Sequence, residues 1–405
     1  MKPAPSAARG HIALLLPSLA GGGVARSFLQ LANGFIDRGY RVELVLCRAV
    51  GPYLADINPA IEVVELEPES GVRARIRALS LSPGAVGALL LPVLLARKPP
   101  PVLRYILSLA RHLEEARPDV LLAGKTHTNM LAIWGNRLAS NSTRVVISER
   151  TSLSMEIESA KKWRWRHVAA LVGRLYPLAD AITSVSDGVS DDLAETAGLA
   201  RETITTIYNP VSRPEIYEKA NLQPDHPYFN AGGPPVVVAA GRLTEQKQFP
   251  VLLDAFARVR MQTDARLLIL GEGRDRSSLQ VKIEQLGLEP FVSMPGFSDN
   301  PYAHMAKAAV FVLSSAWEGL PGVLIEALVC GCPVVSCDCP SGPREILAGG
   351  KFGELVPVGD VDGLARAILT VLENPPDRQR LRSRGAEFSL EASVEKYLAA
   401  LFPES

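Results

Sequence analysis

The sequence has little of what would make it secreted, fibrous or membrane-spanning. Five Cys among 405 residues do not form a disulfide framework and suit a reducing compartment. Aromatics are 6% of the chain, and 43 Lys plus Arg balance 43 Asp plus Glu, so no global field draws nucleic acid. The apolar run Ala85–Ala96 contains Pro92 and is well short of the roughly 20 residues a bilayer-spanning helix needs. It is long enough to lie on a membrane surface. His11–Leu16 is too short for the apolar part of a secretory signal, and no small-residue cleavage site follows it. The expected location is cytoplasmic, with the inner face of the cell membrane as a peripheral docking place. A composition of 47% hydrophobic and 21% charged residues then describes a globular protein with a large core, and the length favours two domains.

What is there is alternation of strand and helix patterns. Met1–Gly10, rich in Ala and Pro, reads as a disordered lead-in. Strand His11–Leu16 leads through Gly21-Gly22-Gly23 into a helix over Val24–Arg38; Gly39 caps it and strand Arg41–Cys47 follows. Further strands fit Ile61–Leu66, Val120–Ala123, Val145–Ser148, Ala181–Val185 and Thr203–Ile207, with helices over Pro101–Ala116, Thr128–Ala139, Lys162–Leu175 and Gly188–Thr196. Ser212–Pro235, with five prolines and two glycines, reads as a linker. A second alternating run follows: strands Val236–Ala240, Arg266–Gly271, Phe291–Met294, Val310–Leu313 and Pro333–Cys337, with helices at Pro250–Met261, Asp275–Leu286, Tyr302–Ala308, Gly322–Cys330 and Val361–Leu372. The expected class is α/β, two Rossmann-like doubly wound parallel-sheet domains facing a central cleft. Their bounds are 1–211 and 212–387, with a C-terminal helix over 388–403 packing back on the first domain.

Chemistry-bearing residues cluster at the ends of these strands. Gly22 and Gly23 open a helix and suit either a tight turn or the close approach of an anion. The G-x-G-x-x-G spacing and following acid of a dinucleotide site are missing there. Arg242 and Lys247, just after strand Val236–Ala240, are either solvated cations or a clamp for a diphosphate. Glu318 and Glu326 lie eight apart across a loop-to-helix junction. Two such carboxylates can grip hydroxyl-bearing parts of one ligand while the intervening amides face a phosphate; an acid near a helix start for dipole reasons is the plainer alternative. No Asp-x-Asp pair stands at a strand end, and Cys330-x-Cys332 with Cys337-x-Cys339 has the wrong spacing for structural zinc.

The stretch Ser314–Leu328, with Gly331-Cys332-Pro333-Val334-Val335 and Gly342-Pro343-Arg344-Glu345-Ile346 after it, resembles the donor-site signature of the family 4 retaining glycosyltransferases of GT-B architecture. The resemblance runs from Gly241 to Asp360, and more loosely through Gly21–Gly23 and Tyr208-Asn209-Pro210. It implies a hexose-type transferase with an acceptor-side first domain and a donor-binding second one. Its donor would be a nucleotide-diphosphate sugar, of the UDP-linked type, and no metal cofactor would be needed. By the same resemblance Arg242 and Lys247 bind the diphosphate, Glu326 the ribose hydroxyls and Glu318 the transferred sugar. Backbone at Gly322, Val323 and Leu324 caps the phosphate, Pro295-Gly296-Phe297 cups the base, and His127 reaches the donor sugar. Glu149-Arg150 is expected to face the acceptor. Retention without a covalent nucleophile implies front-face attack. A nucleotide-sugar epimerase of the same architecture and a non-catalytic sugar-nucleotide binding subunit are the alternatives. The second would be expected to lack Arg242, Lys247 or Glu318, and all three are present.

Gly71–His112 carries Arg73, Arg75, Arg77, Arg97, Lys98, Arg104 and Arg111 and no acid, interleaved with apolar residues; Lys161-Lys162-Trp163-Arg164-Trp165-Arg166 adds cations and two aromatics. Either these are solvated faces over an ordinary core or they meet anionic lipid headgroups, which would bring the site to a lipid-linked or polysaccharide acceptor at a membrane.

Overall fold

The computed structural model describes residues 8–20, 22–89, 93–95, 100–139, 141–160 and 163–403. Gly21, Arg97, Lys98, Lys161, Lys162 and most of the Met1–Gly10 lead-in lie outside the described residues. The chain divides into two compact units, Met1–Pro210 with Leu390–Ser405, and Val211–Ser389.

The first unit is built on a seven-stranded parallel sheet of β1 (His11–Leu16), β2 (Arg41–Leu46), β3 (Glu62–Glu65), β4 (Val120–Gly124), β5 (Arg144–Glu149), β6 (Ala181–Ser184) and β7 (Ile204–Thr206), in the order β3-β2-β1-β4-β5-β6-β7. Helices cover both faces, which is why β1 reads as an unbroken apolar run rather than an alternation. Ala13 and Leu15 enter the core on one face, and Ile12, Leu14 and Leu16 enter the core on the other. On that second face the helix Gly23–Asp37 packs against the returning helix Leu390–Leu401. A Cβ at Gly34 would sit 2.5 Å from Val394, so glycine sets how closely the two helices approach.

One charge is buried in this sheet away from the strand ends. Glu43 in β2 lies 2.9 Å from His112 Nε2 and 3.4 Å from His11 Nε2. Burial alone would push its carboxyl up. The hydrogen bonds from the two imidazoles outweigh burial and bring it down to about 2. His112 is raised in return, chiefly by its hydrogen bond to Glu43.

The second unit repeats the architecture with β8 (Val236–Ala240), β9 (Arg266–Leu270), β10 (Val292–Gly296), β11 (Val310–Leu313), β12 (Val334–Cys337) and β13 (Glu354–Val356), all parallel, in the order β10-β9-β8-β11-β12-β13. In each sheet the strand order reverses beside the first strand, between β1 and β4 and between β8 and β11. Ligands of such sheets bind outside the carboxyl ends of the strands at this reversal.

Several expectations change. Ser212–Pro235 is not a loose linker. Pro214 starts the helix Pro214–Ala220, Pro227 starts a short turn, and Ile216 is fully buried, because proline lacks only an amide that a first helical turn leaves unpaired anyway. The helix read over Lys162–Leu175 is a tight 3₁₀ turn, Trp163–His167, followed by the helix Ala169–Leu175. Within Ala85–Ala96, Ala85, Leu89 and Val93 point into the core and Leu95 is exposed, while Leu90–Pro92 and Ala96 lie outside the described residues. A helix the sequence reading omits, Gly71–Leu81, buries Ala74 and Ala78 and leaves Val72, Ile76 and Leu79 exposed. Arg77 pairs with Glu69, and Arg104 donates to the Glu69 carbonyl, so two of the basic residues there have partners just upstream.

Candidate functional site

In the second unit the loops after β8, β9 and β11 interlock. Gly271, at φ +136°, follows β9, and a Cβ there would lie 2.0 Å from the Gly241 carbonyl oxygen. Only glycine lets these two strand-end loops touch. The β8 loop is then clasped to the β11 loop. Ala316 N–H donates to the Gln246 carbonyl at 2.8 Å, Gln246 Nε2 to the Trp317 carbonyl at 2.8 Å, and Ser314 Oγ to the Lys247 carbonyl at 2.7 Å. The clasp brings Lys247 Nζ to 2.6 Å from Glu318 Oε1, with side-chain exposures of only 14% and 10%. Removing either partner would leave a shielded charge uncompensated, at a cost of about 3 kcal/mol. Arg242, on the same loop, is exposed and has no ion-pair partner among the described residues. The Lys247–Glu318 pair thus stands at the strand reversal of the second sheet, with Arg242 on the same loop as Lys247.

The helix Gly322–Val329 begins behind Glu318 with no acid in its first turn. The Leu324 amide is already taken by the Pro321 carbonyl at 3.0 Å, so Gly322 and Val323 are the amides that lead the helix. Glu326, one turn on, is buried and accepts from Tyr302 Oη at 3.2 Å; Tyr302 Oη accepts from Arg213 Nη2 at 2.8 Å. Gly296 closes β10 at φ +99°, donor to none of these groups but tied by its carbonyl to the Gly271 amide at 2.7 Å. Phe297 beside it is 75% exposed, a large apolar ring left in water.

In the first unit, Gly22 adopts φ +95° at the start of the helix Gly23–Asp37, and a Cβ at Gly22 or Gly23 would meet nothing within 4 Å. Backbone conformation, not crowding, therefore accounts for Gly22, and there is open space beside the chain. Across the reversal from β1, His127 stands in the first turn of the helix Thr126–Ala139, which starts before the expected Thr128. Its ring stacks on Trp165 with centroids 4.0 Å apart and planes 8° from parallel, and its Nδ1 lies 3.7 Å from Glu156 Oε1. Trp165 is thus an inward-packed partner of His127 and of the core, not an outward-facing interfacial aromatic.

Glu149 and Arg150, expected to face an acceptor, are both buried. Burial and the neighbouring Glu156 charge push the Glu149 carboxyl up to about 8, against hydrogen bonds from Tyr176 and the Arg150 amide and a contact with the Thr126 hydroxyl. The Arg150 guanidinium donates to Tyr397 Oη at 3.0 Å, Ser27 Oγ at 2.7 Å, Ser148 Oγ and Asn209 Oδ1, and lies 5.3 Å from the Phe28 ring. It joins β5, the helix Gly23–Asp37, the Tyr208-Asn209-Pro210 segment and the helix Leu390–Leu401. Sequence reasoning missed this role and missed Tyr397, Ser27, Tyr302, Gln246 and Glu156. A cation directly after the apolar strand Val145–Ser148, in the pair Glu149-Arg150, is the only sequence signal for the first of these.

Among the described residues no three His, Cys, Asp or Glu side chains are grouped to hold a metal ion. The pair Asp360-x-Asp362 has other work: Asp360 caps the helix Val361–Glu373 through Gly363 N–H at 2.8 Å, and Asp362 pairs with Arg258. All five Cys are free and buried, and burial pushes the Cys47 and Cys332 thiols up to about 12 and Cys337 to about 11.

Two family models match the chain in succession, Glycosyltransferase Family 4 over residues 21–213 and Glycosyl transferases group 1 over residues 225–388. A Campylobacter jejuni protein, N-acetylgalactosamine-N,N'-diacetylbacillosaminyl-diphospho-undecaprenol 4-alpha-N-acetylgalactosaminyltransferase, is 33% identical over 63% of this chain and 67% of its own. The lipopolysaccharide core biosynthesis glycosyltransferase LpsE of Rhizobium meliloti is 27% identical over 94% of this chain and 96% of its own. Among solved structures, HepE of Anabaena with UDP and glucose superposes with a TM-score of 0.74 at 20% identity, covering 97% of this chain and 99% of that one. The apo form of the lipopolysaccharide outer core galactosyltransferase WaaB does so with a TM-score of 0.70 at 20% identity, covering 97% and 99%. With both halves matched in order and the fold shared over nearly its whole length, the chain belongs to the family-4-like glycosyltransferases of GT-B architecture.

Proposed function

We propose that the protein transfers a hexose-type sugar from a nucleotide-diphosphate sugar, UDP-linked, to a lipid-linked or polysaccharide acceptor, with retention and without a metal. The observation that carries this reading is the shielded Lys247–Glu318 pair at the strand reversal of the second sheet, with exposed Arg242 on the same loop. On this reading Lys247 and Arg242 take the diphosphate, and Lys247 exchanges Glu318 for phosphate oxygen when donor enters. Glu318 is then released to the hydroxyls of the transferred sugar. Glu326 holds the ribose, Gly322 and Val323 offer amides to the phosphate, and Gly296 with Phe297 receives the base.

As the bond from the anomeric carbon to the diphosphate oxygen breaks, negative charge grows on that oxygen. Cations already in place there stabilise the transition state more than the ground state. The same oxygen accepts the proton of the acceptor hydroxyl while the new bond forms on the face the leaving group vacates, so configuration is kept. Protein cations and helix amides do the work a divalent ion does elsewhere. An acceptor at a membrane fits the name of the Campylobacter jejuni relative, which specifies a diphospho-undecaprenol-linked sugar, and those of the lipopolysaccharide enzymes. The first unit is the acceptor side, and the protein works in the cytoplasm against the inner face of the membrane.

Thermal denaturation with UDP and UDP-glucose tests the donor assignment, since a ligand of the folded state raises its melting temperature. We expect a shift in the wild type, lost in Arg242→Ala and Lys247→Ala, with turnover in each cut by two or more orders of magnitude. Lys247→Ala also lowers the unliganded melting temperature by exposing Glu318, so the ligand shift rather than the melting temperature is compared. Normal shifts and rates in both variants would sink the diphosphate assignment. Activity undiminished in EDTA is expected, and loss restored only by Mn²⁺ would contradict the metal-free reading.

A further inference from the structure

Around His127 the hydrogen bonds have a direction that can be worked out. Thr126 Oγ1 lies 2.7 Å from Glu156 Oε2 and 3.1 Å from Glu149 Oε1. A threonine hydroxyl has one proton to give. Given to the nearer oxygen, Glu156 Oε2, it leaves Thr126 facing Glu149 with a lone pair. Two lone pairs 3.1 Å apart in a buried site would repel, unless Glu149 itself carries the proton and donates it to Thr126. Tyr176 Oη donates to the other Glu149 oxygen at 2.6 Å, and the Arg150 amide donates to Oε1 at 3.2 Å, a bond that a protonated Oε1 accepts on its remaining lone pair while it donates to Thr126. Burial, which pushes the Glu149 carboxyl up to about 8, agrees with this assignment.

The chain therefore runs one way. Neutral Glu149 donates to Thr126, Thr126 donates to Glu156, and a single negative charge rests on Glu156, 3.7 Å from His127 Nδ1. The opposite face of the imidazole environment is the Trp165 indole, stacked at 4.0 Å. A carboxylate at the ring edge and an aromatic face both favour the imidazolium over the neutral ring. Burial raises the Glu156 carboxyl too, against the Thr126 bond, the charge of Lys125 just before the Thr126 helix and the Trp165 indole; Asp192, from the helix Asp187–Ala197, is engaged by Ser154.

We propose that Glu156 is a positioning residue for His127: held by Thr126, its carboxylate keeps the imidazole protonated and aligned on Trp165, a hydrogen-bond donor at both nitrogens. The use of that donor, at Nε2 toward a hydroxyl of the donor sugar, rests on the function proposed above. The arrangement itself does not.

The test is a proton-NMR pH titration of ring-labelled histidine in the full chain, with the His127 signal assigned by its loss in His127→Asn. In the wild type its midpoint is expected above the usual value of about 6.5. Glu156→Gln lowers it by about one unit, a tenfold loss of proton affinity; Glu156→Asp recovers part of that, and the other histidines keep their midpoints. Thr126→Val, which spares both carboxylates but unties Glu156, moves the midpoint the same way by less and serves if the Gln variant does not fold. A His127 midpoint unmoved in Glu156→Gln and in Thr126→Val overturns the proposal. With UDP-glucose as probe, the pH profile of kcat/KM in Glu156→Gln loses its alkaline limb earlier by the same interval. If the wild type does not turn over UDP-glucose, that counts against the donor reading, and the titration still decides the role of Glu156.

Discussion

Glu43 and Glu149 share one sheet and are equally hidden from water, yet their carboxyls move in opposite directions, to about 2 and about 8. The difference is in what faces them. Two imidazoles stand against Glu43, whereas Glu149 meets a phenol, a hydroxyl and another carboxylate. Their effects on stability follow with opposite sign. A carboxyl lowered from 4.5 to about 2 contributes stability that is complete above pH 4.5 and lost as pH falls toward 2. A carboxyl raised from 4.5 to about 8 favours the folded state below pH 4.5, and that advantage is lost as pH rises toward 8. His112, raised by Glu43, adds stability below its unfolded value that fades as pH climbs through the folded one. We therefore expect Glu43→Gln to flatten the acid side of the stability profile and Glu149→Gln to flatten the neutral-to-alkaline side, read as urea midpoints from pH 3 to pH 9. Parallel profiles in wild type and both variants would refute the two assignments.

At the scale of elements, the helix Gly71–Leu81 carries the membrane question. Val72, Ile76 and Leu79 recur at helical spacing on its outer side, 65%, 62% and 36% exposed, with exposed Arg73 among them. An apolar stripe with a cation and no acid is the pattern of a helix that lies in a headgroup layer. Sedimentation with anionic liposomes at low salt should therefore carry down the wild type, and Val72→Ser with Ile76→Ser should weaken that binding severalfold without altering the melting temperature. A wild type that stays in the supernatant would make the stripe an ordinary solvated face. The sequence reading includes this helix in the basic stretch Gly71–His112 but seeks its apolar part in Ala85–Ala96, because an unbroken apolar run looks the same whether a core or a bilayer covers it. Gly71–Leu81 was hidden by its five glycine, arginine and serine neighbours-in-pattern, which mask a stripe of three apolar residues. The parallel strands were legible because burial on both faces forces continuous apolar runs, and the strand-end loops because glycine and charge concentrate there. Lys247 and Glu318 could be assigned to one site from their motifs. Their direct contact could not, since it depends on Gln246 and Ser314 clasping two loops far apart in sequence. Trp165 misled for a similar reason: its neighbours in sequence are cations, and its neighbour in space is His127.

At the scale of the molecule, the first unit is made from two pieces of chain, and Arg150 is where they are tied. Its guanidinium, lowered in proton affinity by burial, draws on Tyr397 from the returning helix and on Asn209 from the segment that leaves the unit. Val394 and Leu401 from the same helix complete one of the two cores. A chain ended at Ser389 should leave that face of the first sheet open, with Arg150 short of a partner. Limited proteolysis is expected to cut the first unit of this truncation rapidly while sparing the second, and Tyr397→Phe should cost about 1–2 kcal/mol. Equal protease resistance of the truncated and full chains would show the helix to be dispensable. The returning helix also bears on how the protein is made. A ribosome delivers the sheet of the first unit early and its closing helix only after the entire second unit has emerged. Through that interval the nascent first unit carries an uncovered apolar groove beside Gly34 and a guanidinium awaiting its phenol, so the domain that begins to fold first is the one that finishes last.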